Sequence, residues 1–410
     1  MYFDVISRLR QSQLKFVVTI SGGGSAFLSD YLSVPGASQT FLEARIPYAP
    51  LATDDFLGFR PEKYTSERTA RLLAAAALRR AQSLAPDADP QTLLGIGATA
   101  ALVSERPKKG EHRVYCSVVS RRGTFSASTT LKKDARTRAQ EERIAADFIF
   151  STLMKTLEEV ERGSQEFWTE HKAPLPLRTL EPLSCDDSAK FSAVLVNPEA
   201  STFLYAPEDA SGQALLAQNG RVAPLPRSPQ KGAPYLIFPG SFNPAHRGHA
   251  AIAHIASSRL NLPVAFEISA HNVDKPPLDP MELTRRAAQL NERVPNSTLW
   301  IVKAPRFLQK ARIFPGAVFI AGTDTILRLA DPKYENNSAA QRDSVLEELR
   351  ALNVRFLVFT RRINGKILSS DTLADMLPGA LRQLCVFLPQ DVFIDDISSS
   401  EIRRQEKERL

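Results

Sequence analysis

The sequence lacks a long apolar segment, and it has only three cysteines among 410 residues. Its longest uninterrupted apolar run is LLAAAAL, residues 72–78, which is far shorter than the roughly 20 residues that cross a bilayer as a helix. The first residues, MYFDVISRLRQSQ, do not place an apolar stretch after a basic one, so they do not predict a secretory signal. Both absences argue against a membrane protein and predict a cytoplasmic one.

The number of cysteines and the net charge argue against further classes of protein. Cys116, Cys185 and Cys385 are odd in number and far apart, which argues against a disulfide framework and against a thiolate metal site. The 52 Lys and Arg exceed the 45 Asp and Glu only slightly, for a net charge of +7, and this excess alone does not choose between phosphorylated ligands and nucleic acid. The basic runs KKDARTRAQEER and EIRRQEKERL contain interleaved acids, as solvated helix faces do. We therefore expect no nucleic-acid partner.

A proline-rich region divides the chain. Ten of its 28 prolines lie between Pro174 and Pro239, a density that regular helices and central strands do not accommodate. Within this region FSAVLVN and STFLYA have the apolar pattern of short strands. We predict a first domain over residues 1–168, a β-containing, proline-rich connector over 169–233 and a second domain over 234–410.

Both predicted domains alternate strands with helices. The first begins with a helix, the strand KFVVTI, the turn SGGG and a second helix. In the second, five apolar runs, YLIFPG, VAFEIS, LWIVK, AVFIAG and RFLVFT, are separated by helical stretches such as MELTRRAAQLNERV. Such alternation implies right-handed crossovers and a parallel sheet with helices on both faces. The sequence therefore predicts two α/β domains.

The segment PGSFNPAHRGH, residues 239–249, follows the first strand of the second domain. In an open parallel sheet, ligands bind at the carboxyl ends of the strands. Gly240 allows the backbone to pass close to a ligand, and turn-forming residues follow it. His246 and His249 are three residues apart at a helix start, so both imidazoles project from one face. With the helix N-terminus they form a donor set for phosphoryl oxygens.

A second candidate anion site lies near the end of the chain, in ISSSEIRR. Ser398 or Ser399 is a good N-cap for a helix that contains Arg403, so hydroxyls, helix-start amides and a guanidinium converge on one anion. Two such helix starts in one domain are what triphosphate binding and pyrophosphate departure require. They favour in-line attack on an α-phosphorus, which needs orientation and charge stabilisation rather than a covalent nucleophile.

Both segments resemble known signatures. GSFNPAHRGH resembles the G-x-F-x-P-x-H-x-G-H signature of the nucleotidyltransferase superfamily, and ISSSEIR resembles its I-S-S-T-x-I-R signature. Between them, NVDKPP, ELTRRAAQL and GTD are most similar to the nicotinamide mononucleotide adenylyltransferases, which implies a Rossmann-like parallel sheet. The resemblance implies that His246, His249 and Arg403 are catalytic. It places nucleotide contacts at Gly240, Ser241, Phe242, Lys275, Gly322, Asp324, Ser399 and Ser400.

Other interpretations of this half stay open. Lys275, followed by two prolines, is equally an exposed loop charge, and Asp324 is equally a helix cap. Neither signature distinguishes adenine from cytosine as the base, and descendants that bind nucleotide without turnover keep many site residues. Class I aminoacyl-tRNA synthetases share the histidine signature, but the chain has no lysine-rich K-M-S-K-S-like loop.

The first domain contains its own candidate site in TISGGGSAFLSDYLSVPGASQTF. Ser21 precedes three glycines and a helix, so it fits a nucleophile beside helix-start amides and equally an N-cap in a tight turn. VPGAS, Tyr48 and GIGATAALVSERPKKGEHRVYCSV follow in order. Together these segments resemble the C-terminal domain of the competence-damage-inducible CinA family, an α/β sandwich that includes nicotinamide mononucleotide deamidases. Aligned through Pro35 and Gly36, Ser21 and Tyr48 fall on that family's catalytic serine and tyrosine.

The chain departs from that family at several positions. Ile20 stands where E-S-C-T-G-G has its acidic residue, and the T-G-x-A-G-P phosphate loop reads GATAAL, with Ala101 and Leu102 in place of glycine and proline. Losing that glycine removes the close backbone approach that a phosphate needs. Arg136, Arg138 and Arg143 are candidates for the catalytic arginine, and none is a secure match. We therefore expect this fold with its deamidase activity lost or altered.

A shared ligand is the simplest link between the two resemblances. We expect transfer of AMP from ATP to a mononucleotide, such as nicotinamide or nicotinate mononucleotide, with release of pyrophosphate, in NAD biosynthesis; Mg²⁺ would accompany the ATP. The alternatives are cytidylyl or adenylyl transfer to another phosphate acceptor, and a regulatory protein that binds nucleotide without turnover. Metal ligands are not readable, because Mg²⁺ held mainly by phosphates leaves little trace in a sequence. The acceptor, and whether the chain forms a homo-oligomer, also stay open.

Overall fold

The chain folds into two compact units. One comprises Met1–Thr202 with Asp279–Met281, and the other comprises Phe203–Leu278 and Glu282–Leu410. A computed structural model describes residues 2–105, 109–162, 170–175, 179, 181, 183, 187–196, 198–205, 212–271, 278–334, 337–359, 362–363, 366–367, 369–389 and 399–409. The prediction of two α/β domains is confirmed. The finer division at residues 168 and 233 stays a prediction.

The first unit contains a seven-stranded mixed sheet in the order β2-β1-β3-β4-β5-β7-β6. Its strands are β1 (Lys15–Ser21), β2 (Phe41–Arg45), β3 (Leu93–Ala101), β4 (His112–Ser120), β5 (Gly123–Leu131), β6 (Glu170–Pro174) and β7 (Ser188–Leu195). β1 pairs in parallel with β2 and β3, and the other neighbours are antiparallel. The apolar run KFVVTI forms β1, whose five inner residues are buried, as expected of a strand covered on both faces.

Helices in this half of the chain are α1 (Tyr2–Gln11), α2 (Ala26–Leu32), α3 (Pro50–Leu57), α4 (Glu67–Leu84), α5 (Arg138–Arg162) and α6 (Pro198–Tyr205), with 3₁₀ turns at Ala37–Gln39 and Pro90–Thr92. α4 approaches β3 closely. A Cβ atom at Gly95 would lie 2.0 Å from the carbonyl oxygen of Ala74, and one at Gly97 would lie 2.3 Å from that of Ala70. Only glycine permits this approach of helix to strand.

The second unit contains an eight-stranded sheet in the order β17-β14-β13-β10-β11-β12-β8-β9. Its strands are β8 (Leu215–Gln218), β9 (Arg221–Val222), β10 (Leu236–Pro239), β11 (Val264–Ser269), β12 (Thr298–Val302), β13 (Val318–Gly322), β14 (Arg355–Phe359) and β17 (Cys385–Phe387). The six strands from β17 to β12 are parallel, and they include the five strands predicted for this domain. The strand order reverses between β10 and β13, the switch point at which such sheets bind ligands.

Helices of the second half are α7 (Arg247–Leu260), α8 (Pro280–Arg293), α9 (Phe307–Ile313), α10 (Thr323–Ala330), α11 (Ala339–Ala351), α12 (Ser370–Asp375), α13 (Gly379–Leu384) and α14 (Ser399–Arg409), with a 3₁₀ turn at Pro332–Tyr334 and the hairpin β15 (Arg362–Ile363) and β16 (Lys366–Ile367). Across the described part of the chain, no helix combines the length and the apolarity needed to cross a membrane.

The strands described within residues 169–233 belong to the two large sheets. β6 and β7 extend the first sheet, because the alternation in FSAVLVN places Phe191 and Ala193 in its core. β8 and β9 extend the second, where β8 pairs antiparallel with β12, so that sheet is not purely parallel. The prediction of a strand at STFLYA is wrong. Residues 201–205 of this segment lie in α6, whose start carries Pro198 and Glu199, residues that favour a helix start.

Candidate functional site

The segment 239–249 lies at the switch point of the second sheet. β10 ends at Pro239, and the backbone N–H of Gly240 donates to the carbonyl oxygen of Glu267 on β11, at 2.9 Å. β13 lies on the other side of β10 and ends at Gly322. Because parallel strands end at the same edge of a sheet, the loops at Gly240 and Gly322 flank one crevice.

The signature loop is anchored by a buried phenylalanine. Phe242 is fully buried with φ at +43°, and its ring centroid lies 5.7 Å from that of Phe238 and 5.3 Å from that of Phe266. A Cβ atom at Gly240 would lie 2.6 Å from this ring. The spacing G-x-F therefore has a packing cause, since Phe242 folds back onto the bare backbone of Gly240. Ser241, between them, is exposed.

The two histidines stack on each other at the start of α7. Their ring centroids are 3.7 Å apart with an interplanar angle of 30°, and only 5% of His246 and 8% of His249 are exposed. The backbone N–H of His246 donates to Nδ1 of His249 at 3.1 Å. A ring nitrogen that accepts a hydrogen bond carries no proton, so neutral His249 carries its proton on Nε2 and is a donor there.

Helix α14 contacts the loop that carries these histidines. The Ser399 hydroxyl donates to the carbonyl oxygen of Pro244 at 2.9 Å, and the Arg403 guanidinium donates to the carbonyl oxygen of Asn243. The structure thus brings the two predicted signature segments, about 150 residues apart in sequence, into direct contact. Ser400 begins the same helix, but its side chain lies outside the described residues.

Helix α8 also contacts the loop, which the resemblance of ELTRRAAQL did not indicate. Arg286 donates to the carbonyl oxygen of Ser241 at 2.8 Å, and Arg285 donates to Oδ1 of Asn243 at 2.7 Å. Both guanidinium groups contact the carboxylate of Glu282. Burial alone would raise the pKa of Glu282, but the hydrogen bond from Arg285 and the charges of both arginines lower it to about 2. The sequence signal for this contact is the position of Arg285 and Arg286, three and four residues after Glu282. This spacing places the three side chains on one face of a helix.

Two of the other predicted nucleotide residues, Gly322 and Asp324, lie at the same edge. Gly322 is the N-cap of α10, and Asp324 is exposed in its first turn. Lys275 lies outside the described residues. Among the described residues, no group of three His, Cys, Asp or Glu side chains could form a metal site.

A buried ion pair lies directly behind Gly240, and no sequence motif indicated it. Glu267 is fully buried on β11, and Lys310 of α9 donates to its Oε2 at 2.5 Å. Burial raises the pKa of the Glu267 carboxyl group, and the Lys310 charge opposes that rise. A lone charged residue within a strand pattern resembles a solvent-facing position, so the pairing is visible only in the fold.

Ser21 and Tyr48 lie close together in the chain's first unit. The Ser21 hydroxyl donates to the carbonyl oxygen of Pro47 at 3.0 Å, and Tyr48 is the next residue, 70% exposed. Of the three arginines considered for this site, Arg138 contacts the glycine turn, where it donates to the carbonyl oxygen of Gly22 at 2.8 Å. Ser21 is held by a backbone acceptor rather than by a general base.

The carboxylates of Glu141 and Glu142 accept hydrogen bonds from backbone N–H groups near this first site. Glu142 accepts from the backbone N–H of Gly24 at 2.9 Å and from both the N–H and the hydroxyl of Ser25. Glu141 accepts from the N–H of Val103 and pairs with His112, both at 2.7 Å. The helix-start amides that were expected to face an anionic ligand therefore face the carboxylate of Glu142 on α5.

Comparison with known proteins gave one family match and several similar solved structures. The family described as Cytidylyltransferase-like matches residues 237–405. The comparison with curated proteins gave no match. Among solved structures, a competence-damaged protein (CinA) superfamily protein from Escherichia coli is 18% identical, with a TM-score of 0.32, over 38% of this chain and 90% of that chain. A competence or damage-inducible protein from Enterobacter asburiae is 17% identical, with a TM-score of 0.31, over 38% and 94% of the two chains.

The family match spans the sheet region that carries the site. It begins at Ile237 in β10 and ends at residue 405 in α14, so it includes the histidine loop, the switch point and the helix start that contacts the loop. Residues 237–405 are therefore a cytidylyltransferase-like domain of the nucleotidyltransferase superfamily.

Proposed function

We propose that the second domain transfers AMP from ATP to a mononucleotide, such as nicotinamide or nicotinate mononucleotide, and releases pyrophosphate. One observation carries the proposal: Ser399 and Arg403 contact the loop that leads into His246 and His249. Two residue sets that we expect to bind phosphate, from distant parts of the sequence, thus share one edge of the sheet, at its switch point.

In this reaction a phosphate oxygen of the acceptor attacks the α-phosphorus of ATP in line. The new phosphorus–oxygen bond forms as the bond to the bridging oxygen breaks, and pyrophosphate leaves with that electron pair. The histidine pair and the start of α7 would stabilise charge on the phosphoryl oxygens. A guanidinium has five N–H donors, so Arg403 would hold the leaving phosphates while it keeps its bond to Asn243. No covalent nucleophile is needed.

Mg²⁺ would arrive with the nucleotide. The donors around the loop are imidazole, hydroxyl and guanidinium groups, which suit phosphate oxygens rather than a cation. Phosphate oxygens and water would therefore supply most of the magnesium ligands. The ion would partly neutralise the triphosphate.

Cytidylyl transfer is the second candidate, because the matching family is described as Cytidylyltransferase-like. The contacts described above all involve phosphate-binding groups, and they do not discriminate between bases. CTP therefore belongs in the same test as ATP, and so does a phosphate acceptor that is not a mononucleotide.

For the first domain we propose that deamidase activity is lost. Ser21 donates to a backbone carbonyl oxygen, and Glu142 holds the amides at the start of α2. Ammonia release from nicotinamide mononucleotide by the wild-type chain, abolished in Ser21→Ala, would contradict this.

The test supplies the purified chain with ATP or CTP and with nicotinamide mononucleotide, nicotinate mononucleotide or phosphopantetheine, and follows pyrophosphate. We expect release with ATP and a mononucleotide. His249→Ala should abolish it, whereas His254→Ala, on the exposed face of the same helix, should not. Absence of pyrophosphate with every pair, or full activity of His249→Ala, would refute nucleotidyl transfer; release with CTP alone would support the second candidate.

A further inference from the structure

Phe242 anchors the histidine loop from within, and side chains from other elements also hold it. Residues 240–246 connect β10 to α7 without forming a strand or a helix. Two of the contacts come from α14, as described above. Two more come from Arg285 and Arg286 of α8, which neither signature includes. The position of the stacked imidazoles therefore depends on a helix outside both signatures.

Glu282 sets the geometry of these arginines. Its Oε1 lies 2.6 Å from Arg285 and 2.7 Å from Arg286, and its side chain is 8% exposed. Arg285 is different from its neighbour because 41% of its side chain is exposed. It is fixed on three sides, by Glu282, by Gln289 at 2.8 Å and by Asn243 at 2.7 Å. A planar guanidinium held by several partners loses little further freedom when it orients one more group.

Asn243 receives two guanidinium groups from two helices. Arg285 donates to its side-chain oxygen, and Arg403 donates to its backbone oxygen. Asn243 is three residues before His246, so a change in its orientation moves the backbone that leads into the histidine pair. Asn243 occupies a variable position of the G-x-F-x-P-x-H-x-G-H pattern. Its contact with Arg285 nevertheless ties the loop to α8.

We propose that Arg285 is a positioning residue for nucleotidyl transfer: held by Glu282, it orients Asn243 and thereby places His246 and His249 against the reacting phosphate. This inference rests on the proposed function of the second domain. It assigns the effect of Arg285 to the loop and not to direct contact with the nucleotide.

The first experiment needs no activity. The chain has six histidines, few enough to resolve the imidazole signals of a histidine-labelled sample by NMR. Arg285→Met and Asn243→Ala should shift the signals of His246 and His249 in the same direction and leave that of His254 in place. Arg293→Met, an exposed arginine at the end of the same helix, is the matched control and should shift neither. Unchanged His246 and His249 signals in Arg285→Met would overturn the inference.

The second experiment is a kinetic cycle. A displacement of about 1 Å in a reacting group costs roughly 100-fold in rate, so we expect kcat to fall by roughly 10- to 100-fold in Arg285→Met, with a KM for ATP changed by less than about 3-fold. Asn243→Ala should have a similar effect, and the double variant should be no slower than the slower single variant. Asn243→Asp keeps an oxygen facing Arg285 and should retain most of the rate.

Three outcomes separate the interpretations. Additive losses in the double variant would refute action through Asn243. A raised KM with unchanged kcat would identify Arg285 as a direct nucleotide contact and would also refute positioning. If the wild-type chain releases no pyrophosphate, the proposed reaction fails, and the imidazole signals alone decide whether Arg285 positions the loop.

Discussion

Replacement of Lys310 by methionine should destabilise the second domain strongly, and more strongly at high pH. Lys310 is 9% exposed and donates to Glu267, which is fully buried. Methionine keeps the apolar stem of lysine and removes only the charged end. The substitution therefore leaves a carboxylate inside the protein without its partner.

Breaking one partner of a buried ion pair costs roughly 3–5 kcal/mol, and we expect a loss of this size in the free energy of unfolding. Burial raises the pKa of Glu267, and the Lys310 charge opposes the rise. A carboxyl group whose folded pKa lies above its unfolded value loses stabilising energy as the pH rises through the folded pKa. Without Lys310 that pKa rises further, so the loss should be larger at pH 8 than at pH 5.5.

Chemical denaturation of the full chain at pH 5.5 and pH 8, monitored by a fluorescence signal from the second domain, measures the loss in the free energy of unfolding. Arg312→Met breaks the exposed pair with Glu348 and is the matched control, with an expected cost of about 0–1 kcal/mol. The double variant Glu267→Gln with Lys310→Met should recover part of the lost stability. A cost of Lys310→Met below that of the control, or one that is larger at pH 5.5, would refute the reasoning.

Three further variants test packing and charge. In Gly240→Ala the new Cβ would lie 2.6 Å from the Phe242 ring, so we expect a loss of roughly 1–3 kcal/mol with lower nucleotidyl transfer, measured by denaturation and pyrophosphate release. In Gly95→Ala the new Cβ would meet helix backbone at 2.0 Å, so thermal unfolding of the first domain should occur at a lower temperature, and an unchanged midpoint would contradict the close packing. Glu142→Gln weakens charge-assisted hydrogen bonds at the start of α2, which should cost roughly 1–3 kcal/mol at pH 7. These bonds and Arg138 lower the pKa of Glu142 although burial alone would raise it, so the cost should shrink as the pH falls below 4.5; a cost independent of pH would contradict it.

The regular part of the second domain was predictable because each strand there is a short apolar run between helical stretches. The parallel direction of these strands followed from their alternation with helices once the runs were identified. β17 was missed because it has only three residues, and its central Val386 is exposed. STFLYA was assigned to a strand because a cluster of apolar residues over six positions has no period of its own, and the helix start at Pro198 was overlooked.

Candidate site residues were predictable where chemistry is concentrated in short motifs. His246, His249 and Arg403 could be identified because rare residue types stand at fixed spacing near a strand end and near a helix start. The contacts of Arg285 and Lys310 could not, because each depends on a partner more than 40 residues away. Lysine and arginine on a helix are most often solvated, and only the fold shows which of them turn inward.

The groups that accept hydrogen bonds from the helix-start amides differ between the two domains: a carboxylate in the first and an imidazole in the second. This difference bears on the hypothesis that both domains bind the same ligand. In the first domain Glu142 places a full negative charge on the amides of Gly24 and Ser25, so a phosphate would have to displace charge-assisted hydrogen bonds of about 2.6–2.9 Å. In the second domain the backbone at the start of α7 is satisfied by the imidazole of His249, a group that can remain in place and donate to a phosphate itself. We therefore expect the first site to resist an anionic mononucleotide and the second to attract one. The expectation that both domains bind one mononucleotide therefore loses its support from the first, and the proposed reaction depends on residues 237–405 alone.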